Sequence, residues 1–326
     1  MFLKTIAAAT AVAALAAPAA AETLKLAHWV PPQHTLTAST VEPLKNGVEE
    51  ATGGELTIDV YPGGELGAGP LEQYVRVVQG VADIVWGLQG YTSSQFPRTM
   101  IAELPGVVTE DRPGYEAIWD AIDAGYLMEE YPQTKPLALW TSEPNVFIMK
   151  DHDIRTPADV EGLKIRVSGS VAADLIETLG GIPVQMPAGE MYNALDTGLI
   201  DGIVTGASAI GDFRLDEVAN SYTTNVPLGR ITFYLVMNQG VYDGLSPEMQ
   251  AAIDENSGRS LSQSAEEGWY ATTDRVLESI AATGDNTIIE LTDAEAEAFG
   301  ELTIPVTQTV VNDLGAEDIL AVMEGE

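Results

Sequence analysis

From Leu24 onward the chain alternates short apolar runs with helical patterns, and this alternation constrains the fold more than any single motif does. Leu24–His28 reads as a strand, Leu36–Ala51 as a helix closed by Thr52-Gly53-Gly54, and Leu56–Tyr61 as a strand alternating around Ile58 and Val60. Pro70–Gln79 reads as a second helix, ended by Gly80, and Ala82–Trp86 as a third strand. Strands linked through helices are expected to lie parallel in one sheet, because the connection must cross back over it. The same order returns over Leu163–Val167, Val171–Leu179, Pro183–Gln185, Glu190–Asp196 and Leu199–Thr205. Each stretch ends on a related phrase, Gly80-Val81-Ala82-Asp83-Ile84-Val85 and Gly198-Leu199-Ile200-Asp201-Gly202-Ile203. In both, an Asp three residues after a helix-ending Gly opens an apolar strand. The expectation is an α/β protein of two similar units, each a mostly parallel sheet flanked by helices, and 326 residues suffice for about two domains. After an apolar strand at Ile231–Met237, Ser246-Pro247-Glu248 marks a helix start, with Ser as cap, Pro at the first position and an acid in the first turn. Helical pattern then continues to about Ala282. Unbroken, such a helix spans roughly 50 Å and would brace both units; a break at Gly258 is the alternative.

The first residues are a separate segment. Met1–Lys4 is a short charged start, Thr5–Ala17 an Ala-rich apolar run, and Pro18-Ala19-Ala20-Ala21 a small-residue cleavage signal before Glu22. This reads as a secretory leader over 1–21, removed after Ala21, with the periplasm as the destination in a bacterium. The stretch is too short and too weakly apolar for a membrane span of about 20 residues. Forty-nine acidic against 15 basic residues give a formal charge of −34, and 45% hydrophobic residues make this a globular chain rather than a disordered one. That charge excludes nucleic acid as a partner, because phosphate binding needs a basic surface. The absence of Cys excludes thiol catalysis, disulfides, iron–sulfur clusters and Cys-ligated zinc.

The inventory for catalysis is thin. The three His are His28, His34 and His152, none in helical ligand spacing, and neither a zinc HExxH nor a GxSxG nucleophile turn occurs. The Gly-rich run 63–69 lacks the order of a dinucleotide or phosphate loop and reads as a turn. Neither a cofactor nor a metal is expected, and the chain does not read as an enzyme. The informative stretch is 162–170, where a strand ending at Arg166 and Val167 turns through Ser168-Gly169-Ser170 into a helix. Ligands of open α/β sheets collect at the carboxyl ends of strands, and a guanidinium offers a carboxylate a two-pronged contact. Arg166 is therefore either a ligand anchor, with Ser168 and Ser170 beside it, or the partner of a surface acid. Trp29, Gln89, Tyr91 and Trp140 also lie at or just after strand ends, where they either meet ligand or pack beneath a loop. His34, in Pro31-Pro32-Gln33-His34, either donates to an anion or is a solvated loop residue.

Several longer phrases carry a resemblance. They are Thr52-Gly53-Gly54-Glu55-Leu56 with 61–67, Gly162-Leu163-Lys164-Ile165-Arg166-Val167, 186–195 beginning Met186-Pro187-Ala188-Gly189-Glu190, Gly198-Leu199-Ile200-Asp201-Gly202, and Tyr234-Leu235-Val236-Met237-Asn238. In this order the chain resembles the DctP-type substrate-binding proteins of tripartite ATP-independent periplasmic (TRAP) transporters. The resemblance implies a two-lobed binding protein of the periplasmic type, monomeric, which closes on an organic acid and delivers it to membrane permease subunits. A binding protein that reports to a sensor kinase is the alternative, and a periplasmic enzyme a further one. Mapped here, lobe I is 22–143 with 232–270 and lobe II 144–231 with 271–326, with a long helix spanning both. Arg166 falls on the family arginine that pairs with the substrate carboxylate. Ala188 stands where many relatives carry an aromatic residue, which implies a roomier or differently shaped pocket. The loop at Thr205-Gly206-Ala207-Ser208 lacks the residues of relatives that use a metal ion, so the substrate is not transferable from them.

A chain this acidic repels an anion at long range, so capture of a carboxylate must rest on local donors. The dissociation constant of a bound organic acid should therefore change little as NaCl rises from low to physiological concentration in calorimetry. A steep loss of affinity would show that long-range attraction governs capture.

Overall fold

The computed structural model describes residues 21–326 except 68, 110 and 285, so the leader expected over 1–21 lies outside the described residues but for residue 21. Among the described residues eleven strands form two sheets. In the first, β1 (Glu22–Ala27), β2 (Leu56–Tyr61), β3 (Ile84–Leu88), β4 (Thr134–Thr141) and β10 (Thr232–Asn238) lie in the order β2-β1-β3-β10-β4. In the second, β5 (Asn145–Met149), β6 (Lys164–Val167), β7 (Ile182–Gln185), β8 (Gly202–Gly206), β9 (Ser221–Thr224) and β11 (Thr287–Glu290) lie in the order β11-β9-β5-β8-β6-β7. The sheets are mixed: in each, one strand runs opposite to all the others, β10 in the first and β5 in the second. These two are the strands laid down just after the chain has passed from one sheet to the other. A strand that arrives without a helical crossover is free to pair antiparallel.

The recurring Gly-x-x-Asp phrase has a physical basis. Asp83 Oδ2 accepts from the Lys25 amide at 2.8 Å, and Asp201 Oδ2 accepts from the Lys164 amide at 2.7 Å. The amides of the same two acids donate to the Lys25 and Lys164 carbonyls. Each Asp thus staples the head of an incoming strand to the strand beside it. The strands begin only past the staple, at Ile84 and Gly202, later than the expected starts at Ala82 and Leu199. Strands β3, β5 and β8 are buried along their whole length, which is why they read as continuous apolar runs.

Helices cover the sheets. They are α1 (Glu42–Ala51), α2 (Gln73–Val78), α3 (Gly114–Asp123), α4 (Ser170–Thr178), α5 (Met191–Asp196), α6 (Ser208–Asp212), α7 (Gln239–Gly244), α8 (Pro247–Glu255), α9 (Arg259–Thr283), α10 (Asp293–Leu314) and α11 (Glu317–Glu324). The first turn of the helix expected from Leu36 is a wider π-type coil over Thr37–Val41. The helix expected from Pro70 starts at Gln73.

The long helix is not continuous from Ser246. Gly258 takes φ +72°, outside helical space, and separates α8 from α9 while its amide donates to the Leu137 carbonyl at 2.6 Å. The 25 residues of α9 still bridge both sheets. Leu261, Ala265 and Trp269 join the core beside β4 and β10, and Ile280 joins the core beside β5 and β8. Gly268 interrupts the sequence pattern but not the helix: a Cβ there would lie 2.3 Å from Ser39 Cβ, so the glycine permits a close approach. At the C-terminus, α11 packs on α3, and Val311, Ala316, Ile319 and Met323 enter a first-sheet core. Residues 317–324 thus return to the side of the first sheet rather than following the second, because this amphipathic helix finds its apolar partner there.

Buried carboxylates tie down the passages between the sheets. Glu266 on α9 accepts from the amides of Gly114, Tyr115 and Thr141. Glu103 accepts from the amide and hydroxyl of Thr232, the first residue of β10, at 3.0 and 2.7 Å. Burial lifts the Glu103 pKa to about 7 against those two hydrogen bonds. Because the folded state then holds this proton more tightly than the unfolded chain, the contribution of Glu103 to stability is greatest below its ordinary pKa of 4.5 and is lost as pH rises through about 7. E103Q retains an acceptor without the charge. Its melting temperature relative to wild type should rise between pH 5 and pH 8 in paired thermal melts, whereas a constant difference would mean that Glu103 is already ionised across this range.

Candidate functional site

A cavity of about 40 Å³ lies between the sheets, at the carboxyl ends of β1, β3 and β8 and the start of β10. Its position follows the rule for open α/β sheets, since strand ends leave backbone groups and loops free to meet a ligand. One wall carries Trp29, just past β1, with Trp86 and Leu88 of β3 and Phe233 of β10. The other carries Arg166 of β6, Ala188 and Met191, and the Thr205–Phe213 turn and helix after β8. Trp269 of α9 also faces the cavity.

Arg166 is the decisive side chain. Its neighbours Ile165 and Val167 point into the apolar core behind the second sheet, so strand alternation turns Arg166 to the opposite face. It is 1% exposed. Its Nε donates to the Met186 carbonyl at 3.0 Å, while Nη2 is buried with no hydrogen-bond partner. Burial pulls its pKa below the ordinary value, and the neighbouring Tyr91 hydroxyl opposes the shift. A guanidinium nonetheless remains a cation at neutral pH. Among the described residues no carboxylate forms an ion pair with it, so the surface-acid reading of Arg166 does not apply.

The two sides of the cavity touch at both rims. On one, the Ala188 amide donates to the Tyr91 hydroxyl at 2.8 Å, and Gly169 lies so close to Gly90 that a Cβ would come within 2.7 Å of its Cα. On the other, the Thr35 amide donates to Asp212 Oδ1 at 3.0 Å, and His34 Nε2 lies 3.4 Å from Asp212 Oδ2. His34 Nδ1 accepts from the Leu36 amide, which places the proton of the neutral ring on Nε2, toward Asp212. Burial holds the His34 pKa down at about 3 and raises that of Asp212 to about 6. Ring stacking joins the rims: Trp29 stacks on Trp86 at 5.4 Å and on Phe213 at 6.2 Å, and His34 packs edge-on against Phe213 and Trp269.

Of the residues singled out from the sequence, Trp29, His34, Arg166, Ala188, Thr205 and Ser208 line the cavity. The others do not. Tyr91 sits behind Arg166 and braces it together with Trp29, at a ring distance of 6.0 Å. Trp140 is fully buried behind Phe233 and Trp269, and Gln89 donates to the Tyr131 hydroxyl inside the first core. Ser168 is buried with its backbone against Gly90, and Ser170 is exposed with its amide directed at Ser93 Oγ, 3.4 Å away. His34 is not solvated: it is buried, with its Nε2 facing Asp212. Sequence reasoning missed Trp86, Asp212, Phe213, Phe233 and Trp269. Trp86 and Phe233 look like core in apolar strands, whereas Trp269 shares a helix stripe with Leu261 and Ala265 at a spacing of four. Among the described residues no group of His, Asp and Glu is placed to hold a metal ion.

Comparison with known proteins places this geometry. Residues 26–313 match the family DctP, described as bacterial extracellular solute-binding protein, family 7. A C4-dicarboxylate-binding periplasmic protein, DctP, of Rhodobacter capsulatus is 25% identical over 95% of this chain and 93% of that protein. A TRAP solute-binding protein of Rhodoferax ferrireducens, solved with copurified benzoate, superposes with a TM-score of 0.87 at 29% identity, covering 93% of this chain and 96% of that one. A marine metagenome TRAP solute-binding protein, solved with 3-hydroxybenzoate, gives 0.85 at 28% identity over 94% and 97%.

The brace behind Arg166 can be tested through one atom. Tyr91→Phe removes the hydroxyl that the Ala188 amide and the guanidinium share, at a cost of about 1.5 kcal/mol for a hydrogen bond to a charged group. Affinity for a bound organic acid should fall about ten-fold in calorimetry. A lower melting temperature with an unchanged dissociation constant would limit Tyr91 to a structural role.

Proposed function

From the premise that this chain belongs to the DctP family of extracellular solute-binding proteins and serves a TRAP transporter, we propose that it captures an organic acid by its carboxylate on Arg166. The observation that supports this most directly is the buried Nη2 of Arg166, which has no partner in the protein. A charge held out of water without a counter-ion is costly, and a ligand carboxylate relieves that cost while accepting two parallel hydrogen bonds. The unpartnered indole N–H groups of Trp29 and Trp86 add donors on the facing wall. Micromolar affinity requires about −8 kcal/mol, within reach of one buried ion pair and several aromatic contacts.

In this reading the chain is exported, loses its leader after Ala21 and works in the periplasm as a monomer. Two lobes, 22–143 with 232–270 and 144–231 with 271–326, of which 317–324 pack on the first sheet's side, move about the passages between the sheets. Ligand that touches both walls favours the closed arrangement by its differential affinity for that state. The closed protein then docks on the membrane permease subunits. The cavity supplies a cation and rings but no nucleophile paired with a base, so release of unchanged ligand is its chemistry, not turnover.

Arg166→Ala leaves the ligand carboxylate desolvated and unpaired, which typically costs 2 kcal/mol or more. Calorimetry with an acid that stabilises wild type should show a loss of about 100-fold or more. Wild-type affinity in that variant would overturn the anchor. Ligand at about 100 times its dissociation constant should stabilise wild type by about 2.7 kcal/mol, which makes a thermal-shift screen of organic acids the means of finding it.

A further inference from the structure

Resting on the carboxylate-capture reading above, we infer that the ligand is a planar aromatic monocarboxylate whose ring carries a hydrogen-bond donor, with the carboxylate on Arg166 and the donor at Asp212. The first support is the charge inventory. Among the described residues that line the cavity, Arg166 is the one permanent cation, and His34 is held neutral by burial and by its place between the Leu36 amide and Asp212. A second carboxylate would meet no cation and would face the Asp212 carboxylate, a like charge in a site with little water to screen it.

The second support is the polar inventory. The Ser142 hydroxyl is used up, donating to the Glu143 carbonyl at 2.6 Å and accepting from the Ile231 amide at 3.0 Å. Ser208 is held by Glu143, whose Oε1 accepts from the Ser208 amide at 2.6 Å. Beyond the Thr205 hydroxyl and the indole N–H groups of Trp29 and Trp86, the lining offers the several hydroxyls of a polyhydroxylated acid few partners, and each unpaired group costs as much as a lost hydrogen bond. The remaining wall is apolar and flat: Trp29, Trp86, Phe213, Phe233 and Trp269 surround the space. Trp29 and Phe213 lie within 20° of parallel, as do Trp86 and Phe233 within 22°. These pairs stack on each other, with centroids 6.2 and 5.7 Å apart, so a ligand ring meets their edges and outer faces rather than entering between them.

The third support is the polar pair at the far rim. Contacts lead from Arg166 to Tyr91, from Tyr91 to Trp29, from Trp29 to Phe213, and from Phe213 to the His34–Asp212 pair. The guanidinium and the carboxylate thus reach one cavity from different elements, β6 and the end of α6. The Asp212 side chain is 7% exposed and accepts from the Thr35 amide and faces His34 Nε2. A carboxylate has about four acceptor sites, so one or two remain for a donor in the cavity. A phenolic hydroxyl on a ring whose carboxylate rests on Arg166 supplies that donor, which an apolar ring edge does not.

Calorimetry on the purified, ligand-stripped protein with benzoate, 3- and 4-hydroxybenzoate, 3-methoxybenzoate, succinate and glucuronate tests this. The better hydroxybenzoate should bind at least ten-fold tighter than benzoate, and 3-methoxybenzoate, which lacks the donor, no tighter than benzoate. Succinate and glucuronate should bind at least 100-fold more weakly than the hydroxybenzoate. In D212N the preference for hydroxybenzoate over benzoate should shrink toward unity; a general weakening of closure would lower both affinities and leave their ratio unchanged, which would overturn the donor contact. The wild-type comparison with 3-methoxybenzoate decides the donor even if D212N does not fold. Tighter binding of succinate or glucuronate that Arg166→Ala abolishes would overturn the aromatic class and leave carboxylate capture standing. Tight binding that survives Arg166→Ala would overturn both.

Discussion

A guanidinium buried without a carboxylate partner is the constraint around which this molecule is organised. Left in an apolar interior, Arg166 costs free energy that only good hydrogen bonds and an incoming anion offset. The protein supplies part of that return: the Met186 carbonyl on Nε and the Tyr91 hydroxyl beside the guanidinium. It leaves Nη2 open. Holding a cation in this way is a form of preorganisation, since the desolvation cost is met on folding instead of on binding. The strand pattern makes it possible. Ile165 and Val167 lock into one face of the second sheet, and their packing forces Arg166 to the face where the first sheet closes over it.

The same economy governs the passages between the sheets. Three buried carboxylates, Glu103, Glu143 and Glu266, serve backbone amides there instead of basic side chains. A carboxylate that accepts from several amides, as Glu266 does, or from an amide and a hydroxyl, as Glu103 and Glu143 do, fixes a loop in space without regular secondary structure. Glu143 is the most telling, since it follows β4 directly and reaches the Ser208 amide on the opposite sheet and Thr273 on α9 at 2.8 Å. It lies so close to Gly206 that a Cβ there would come within 2.4 Å of its Oε1. The floor of the cavity and the passage beneath it are therefore one hydrogen-bonded unit.

Much of this was legible in the residues themselves. The alternation of strands and helices, the paired Asp phrases and the strand–turn–helix around Arg166 are local patterns, and local sterics and hydrogen bonding decide them. Errors fell where a distant partner overrides local preference. The helix from Ser246 breaks at Gly258, whose amide is claimed by Leu137. The strands after Asp83 and Asp201 start late because those side chains bond to amides of neighbouring strands. Trp140 and Gln89 stand at strand ends like Trp29 does, yet a second layer of rings and a tyrosine hydroxyl cover them.

What the sequence by itself determined is the α/β class, the lack of any thiol, and Arg166 as the residue to watch, because composition and periodicity do not depend on long-range contacts. Only the tertiary structure decided the pocket. Trp29, Trp86, Phe213, Phe233 and Trp269 come from a loop after β1, from β3, from the end of α6, from β10 and from α9, and nothing in their spacing foretells a common cage. Nor does it foretell that Asp212 meets His34 across 178 positions of chain. Such encounters are settled by how two sheets pack face to face, and packing depends on the whole shape of the buried surface instead of the order of residues along the chain.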